Sequence, residues 1–184
     1  MGKLIYSVTT SLDGYAADSD GSIEWTSPSA EVLAFINDSH RNVGMFLLGR
    51  RMYQTLAIWD TIPTDGPNDG MNDFAEIWRA AKKTVYSTSL PLAATDNTTI
   101  ERTFNPETIA KLVAESGHDF SIGGPRLAAA AIKAGIVEEY HQFIVPLIIG
   151  SGNYWLPKDI VSQLKLMDLR KFKNGVVHLK YGKV

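Results

Sequence analysis

At 184 residues the chain has the length of one domain with a substantial core, so residues 1–184 are read as a single unit. Hydrophobic residues make up 45% and charged residues 21%, the formal net charge is -2, and there is no cysteine. This balance argues against a nucleic-acid surface, and the missing thiols exclude disulfides, thiolate zinc sites, iron–sulfur clusters and cysteine nucleophiles. The chain enters an apolar strand pattern directly, with no signal-peptide layout and no run long enough to span a bilayer. A cytoplasmic location without membrane or nucleic-acid partners is therefore expected.

Lys3 to Thr10 alternates and is rich in strand formers, which predicts the first strand. Ser11 to Ser27 reads as a long loop, with room for a short hairpin around Asp20-Gly21. Ser27-Pro28 has the form of a helix cap and a first-turn proline, and apolar residues at helical spacing carry a helix to about Arg41. Gly44 to Leu48 is an apolar run suited to a buried strand, and Gly49-Arg50-Arg51-Met52-Tyr53 opens a second helix. Ile62 to Asn72 reads as loop, and Asp73 as the cap of a short helix to Ala80. Lys83 to Ser87 is the next strand, Thr98 to Phe104 another, and Asn105-Pro106 starts a helix ending near Gly117.

Asp119 to Leu127 is the most informative stretch: a strand, the pair Gly123-Gly124, then Pro125 at a helix start. Two glycines at a strand end let another molecule approach the backbone, and the first N–H groups of the helix form a ready anion site. That helix stops at Gly135 and is followed by a strand from Glu139 to Pro146, which argues a parallel crossover. Gly150-Ser151-Gly152 breaks the pattern. Gln163 to Phe172 and Val176 to Lys183 flank Asn174-Gly175, a strong antiparallel hairpin signal. The expected fold is α/β, with a central, mostly parallel sheet and an antiparallel C-terminal edge.

Three segments turn from an apolar strand into groups that bind phosphate or ribose: Gly49-Arg50-Arg51-Met52, Ser87-Thr88-Ser89 and Gly123-Gly124-Pro125-Arg126. If their strands are parallel neighbours, all three meet at one rim, where open parallel sheets bind ligands. Taken singly, each has a plainer reading. The arginines fit a solvated helix surface, the hydroxyls an ordinary turn, and the glycine pair a strand–helix joint. His40, His118, His141 and His178 lack metal-ligand spacing, so no metal site is expected.

Four motifs, in order and spacing, resemble the dihydrofolate reductase superfamily. The resemblance is closest to the reductase (C-terminal) domain of the riboflavin-biosynthesis deaminase-reductase. They are Ser11-Leu12-Asp13-Gly14-Tyr15-Ala16, Leu48-Gly49-Arg50-Arg51-Met52-Tyr53, Ile122-Gly123-Gly124-Pro125-Arg126-Leu127, and Val145 through Gly152. The resemblance covers nearly the whole chain. It implies a three-layer fold like that of dihydrofolate reductase, with NADPH as hydride donor. On that likeness Gly49, Arg50, Arg51 and Met52 would contact cofactor phosphates. Ser87, Thr88 and Ser89 would lie along the adenosine end, and Gly123, Gly124, Pro125, Arg126 and Leu127 would cradle the diphosphate. Val8, Thr9, Ala16 and Ala17 would flank the nicotinamide.

The first-helix carboxylate of folate reductases falls here on Ala30, with Glu31 one step later, about 100° around the helix. The deaminase zinc motif is absent, and Ile23 to Arg41 lacks the basic cluster a ribose-phosphate tail would need. Asp13 and Glu31 stand as the candidate acids, against plain readings as an Asp-Gly turn and a charge at a helix N-terminus. Tyr15, Trp25 and Trp59 are candidate walls for an aromatic substrate, or core residues. The expected activity is NADPH-dependent hydride transfer to a small pterin-, pyrimidine- or ribityl-type heterocycle, as in 5-amino-6-(5-phosphoribosylamino)uracil reductases. The alternative is a non-catalytic nucleotide-binding protein that keeps the fold. A homodimer is expected; alternating Val177, Leu179 and Tyr181 suit either a self-association face or the protein's own core.

Overall fold

The computed structural model describes residues 1–67 and 70–184. The first half contains β1 (Leu4–Thr10), β2 (Tyr15–Ala17), α1 (Ala30–His40), β3 (Val43–Gly49), α2 (Arg50–Leu56) and α3 (Met71–Ala80). Then come β4 (Lys82–Tyr86), β5 (Thr98–Glu101), α4 (Pro106–Glu115), β6 (Asp119–Gly123) and α5 (Pro125–Lys133). The chain ends with β7 (Glu139–Ile144), β8 (Asn153–Tyr154), β9 (Leu164–Lys171) and β10 (Val177–Lys183).

One sheet runs in the order β5-β4-β3-β6-β1-β7-β10-β9, and β2 pairs with β8 in a separate ribbon. Neighbours from β5 to β7 are parallel, while β10 is antiparallel to both β7 and β9. The mostly parallel α/β fold with an antiparallel C-terminal edge is thus the one expected. β6, α5 and β7 form the expected parallel unit, with β1 lying between its two strands: Tyr6 faces Ile122 on one side and Tyr140 on the other.

Alternation along the strands creates the layers. Leu47 points into a core shared with Ile109 and Val113 of α4 and Ala128, Ala131 and Ile132 of α5. Its neighbours Phe46 and Leu48 point the other way, onto Leu33, Tyr53, Phe74 and Trp78 of α1, α2 and α3. Burial on both faces accounts for the unbroken apolar run in β3.

Several boundaries differ from expectation. No hairpin forms at Asp20-Gly21. Asp18 Oδ1 accepts from the N–H groups of Asp20 and Ser22, closing a small loop, and β2 pairs instead with the distant β8. α1 is capped by Ser29, not Ser27; its Oγ accepts from Val32 N at 3.4 Å. α3 starts after Gly70, at φ +88°, two residues before the expected cap. Asp73 lies inside that helix and pairs with Arg41 at 2.9 Å. The loop expected over Ile62 to Asn72 includes Asn68 and Asp69, which lie outside the described residues. The strand expected to reach Phe104 stops at Glu101.

Candidate functional site

The carboxyl ends of β4, β3, β6 and β1 sit side by side, and a cleft of about 1200 Å³ opens along them. Two helices begin at its rim, α2 after Gly49 and α5 after Gly124, and neither start is capped by a side chain. By contrast, Ser29 and Asn105 cap α1 and α4, which do not open on the cleft. The free N–H groups at the first turn of α5 therefore remain available to an anion. A Cβ on Gly49 would meet nothing within 4 Å, and Gly124 sits at φ +96°. Gly123 is the crowded member of the pair: a Cβ there would lie 2.7 Å from Leu48 Cδ2 and 3.1 Å from Met52 Cγ.

Arg50, Arg51, Arg126 and Lys158 line the cleft, and no Asp or Glu does so among the described residues. Arg50 Nη1 donates to Ser89 Oγ at 2.7 Å, directed toward the end of β4. Arg51 reaches the opposite way, so that a Cβ on Gly21 would lie 3.4 Å from its Nη1. The two adjacent guanidiniums thus serve different ends of the cleft. Ser87 is occupied by its own turn, its Oγ accepting from the N–H groups of Ser89 and Leu90. Thr88 and Ser89 are exposed beside the cleft, whose wall on this strand is Tyr86. Burial, and then the charge of Glu101, push the Tyr86 phenol up to about 12, so it is a hydrogen-bond donor at neutral pH.

At the other end, Val8, Thr9, Ala16 and Ala17 all line the cleft, with Tyr15 edge-on to Tyr154 at 5.8 Å. The β2–β8 ribbon brings two backbones into contact: a Cβ on Gly152 would lie 2.0 Å from the Ala17 carbonyl oxygen. Both candidate acids lie outside this lining. Asp13 accepts from Gly150 N at 2.8 Å and Ile149 N at 3.3 Å, tying the loop after β1 to the loop before β8. The Ser11 hydroxyl, then the Gly150 and Ile149 N–H groups, hold its carboxyl below the usual range, so it is an ionised brace. Glu31 turns to the C-terminal hairpin, accepting from Lys173 N at 3.3 Å with Arg170 at 3.8 Å. Trp59 packs on Phe74 at 4.8 Å in the core and does not wall the cleft. Trp25 sits on a single 3-10 turn whose neighbours Ile23 and Thr26 line the cleft, and its indole nitrogen is buried without a partner.

Sequence reasoning passed over Tyr86, Thr55, Asn153 and Lys158, all of which line the cleft. Thr55 was legible as the residue four past Arg51 on the same helix face. Lys158 follows Pro157 in irregular chain and carried no signal. Among the described residues no group of three or more His, Asp or Glu is placed to hold a metal ion, and no helix is long and apolar enough to cross a membrane.

The family model described as the RibD C-terminal domain matches residues 2–178. The chain belongs to that family. Uncharacterized protein YyaP of Bacillus subtilis (strain 168) is 26% identical over 185 residues, covering 97% of this chain and 94% of its own. A putative riboflavin biosynthesis protein from Shewanella sp. PV-4 superposes with a TM-score of 0.75 at 18% identity, covering 100% and 99% of the two chains. A pyrimidine reductase-like protein from Corynebacterium diphtheriae gives 0.68 at 19% identity, covering 100% and 92%. At these identities the two structures establish the shared fold, which the RibD C-terminal family has in common with dihydrofolate reductase.

Proposed function

We propose that the cleft binds NADPH and that the protein is a reductase acting on a small pyrimidine-, pterin- or ribityl-type heterocycle. The observation that carries this reading is the pairing of two uncapped helix starts with four cationic side chains and no described carboxylate. That surface suits a dinucleotide with an additional phosphate. The backbone of Gly124, Arg126 and Leu127 would hold the diphosphate, and Arg50 with Ser89 the ribose phosphate. Val8, Thr9, Ala16 and Ala17 would flank the nicotinamide. When bound, the cofactor supplies the hydride. Tyr15 and Tyr154 wall the substrate end and the Thr9 hydroxyl lines the same cleft, whereas the Thr26 and Thr55 hydroxyls donate to Ile23 O and Arg51 O and can only accept from a ligand. With Asp13 and Glu31 engaged elsewhere, the proton that completes reduction comes from a hydroxyl or a held water.

Titration with NADPH, followed by quenching of tryptophan fluorescence, tests the binding. Saturable quenching is expected, and its absence with folded protein overturns the reading. Loss of NADPH absorbance with a panel of pyrimidines, pterins and carbonyl compounds then tests turnover. Tight binding without turnover on the whole panel would favour a non-catalytic nucleotide-binding protein, a reading to which the cleft's lack of a described carboxylate lends support.

A further inference from the structure

Three of the four cations along the cleft stand on helix starts: Arg50 drawn to Ser89, Arg51 toward Gly21, and Arg126 in the first turn of α5. Lys158 is the exception, coming from the irregular chain between β8 and β9. It is exposed, and among the described residues it has no ion-pair partner. A lone surface lysine is ordinarily a solvated charge. The chain around this one, however, is held in place. Leu156 and Ile160 both pack against the core shared with α4 and α5, pinning the segment two residues to either side of Lys158. The ring of Pro157 locks its φ, and Asp159 sits at φ +62°, in the left-handed region that side chains seldom enter. Lys158 therefore stands at the apex of a bend whose neighbours have little freedom, so ordering it around a ligand costs little backbone entropy. The adjacent carboxylate, Asp159, does not line the cleft and leaves the charge uncompensated there.

The same anchors fix which part of the cleft Lys158 serves. Leu156 packs on the cluster that holds Ala128, Ala131 and Ile132 of α5, so the segment belongs to the α5 layer and not to that of α1. Ala129, one helical turn past Arg126, lines the cleft together with Leu156 and Pro157. Four residues before Lys158, Tyr154 stands beside Tyr15 at the nicotinamide end. Lys158 thus enters between the start of α5 and the β2–β8 ribbon, away from Ser89 at the end of β4.

We propose that Lys158 is a second cation for the cofactor diphosphate, meeting it from the segment after β8 while the first turn of α5 meets it from the sheet. The inference rests on the cleft binding NADPH. An ammonium is a compact charge with three donors, able to bridge oxygens of both phosphates. The cations then divide their work: Arg50 meets the phosphate that distinguishes NADPH from NADH, and Lys158 holds the group the two cofactors share.

Calorimetric titration of the full chain with NADPH, NADH and 2′-AMP tests this, since 2′-AMP carries the extra phosphate but no diphosphate. Lys158→Met should weaken NADPH and NADH by the same factor, roughly tenfold, and leave 2′-AMP unaffected. Lys158→Arg should keep most of the affinity, and wild-type binding should fall more steeply with added salt than that of Lys158→Met. Equal urea midpoints without ligand report that the variants are folded. Wild type that binds neither cofactor removes the NADPH reading and this inference together. Wild type that binds both, with Lys158→Met binding equally well, overturns the role of Lys158 alone. A loss confined to NADPH, or shared by 2′-AMP, would place Lys158 at the extra phosphate and also overturn it.

Discussion

Gly123 and Gly124 are adjacent but constrained for opposite reasons, one by crowding and one by backbone conformation. Alanine at Gly123 would push into Leu48 and Met52, the overpacking that costs about 1–3 kcal/mol. Alanine at Gly124 would be held at φ +96° and ψ 125°, a strained backbone costing about 1–3 kcal/mol, and would place a methyl where the proposed diphosphate lies. Urea unfolding with and without NADPH separates them. Gly123→Ala should lower stability in both conditions, whereas Gly124→Ala should also lose most of the stabilisation NADPH confers. Arg50→Ala removes a charge-assisted contact of about 1.5–3 kcal/mol, so NADPH affinity should fall roughly 10- to 100-fold. NADH affinity should change far less, since it lacks the extra phosphate; equal losses for both would remove Arg50 from that role. Glu31→Gln should leave turnover within about twofold, because its carboxylate meets the hairpin rather than the cleft.

The β2–β8 ribbon is the element that closes the nicotinamide end, and close backbone approach makes it possible. Gly152→Ala would drive a methyl into the Ala17 carbonyl. The ribbon should part, raising KM for both ligands, and the unfolding midpoint should fall as well, because Ala16 and Trp155 belong to the core shared with α4 and α5. Steady-state kinetics beside urea unfolding checks this, and unchanged KM would show the ribbon to be dispensable. The glycine pair and the double arginine were legible in the sequence because a strand, a bare turn and a helix leave a local pattern. The parallel sheet was legible through the strand–helix–strand alternation. Asp13 and Glu31 were not, because what decides their roles is far along the chain, at Gly150 and Lys173. A two-residue strand such as β8 carries no periodicity at all, so its partner β2 was read as loop.

Across the whole molecule, buried histidines link stability to acidity. Burial pushes His40 and His178 down to about 4, so at mildly acidic pH each takes up a proton far more readily unfolded than folded. Their contribution is full above pH about 6.5 and is lost as pH falls toward 4. For His40 the loss is on the order of 3 kcal/mol. Glu139, hydrogen-bonded by His141 and held by Lys3 and Lys180, is pressed well below the usual carboxylate range, so its contribution persists until lower pH still. Urea midpoints measured between pH 8 and 4 should be level at first and then decline, and His40→Phe should flatten the decline; a profile level down to pH 4 would contradict it. The placement of β1 bears on how the protein is made. Leu4 lies beside Phe120, and Tyr6 beside Tyr140. β1 therefore leaves the ribosome long before either of its neighbours, β6 and β7, has been made. Until then its apolar side chains have no berth, and a nascent chain stalled before β6 should be bound by chaperones and cut readily by protease.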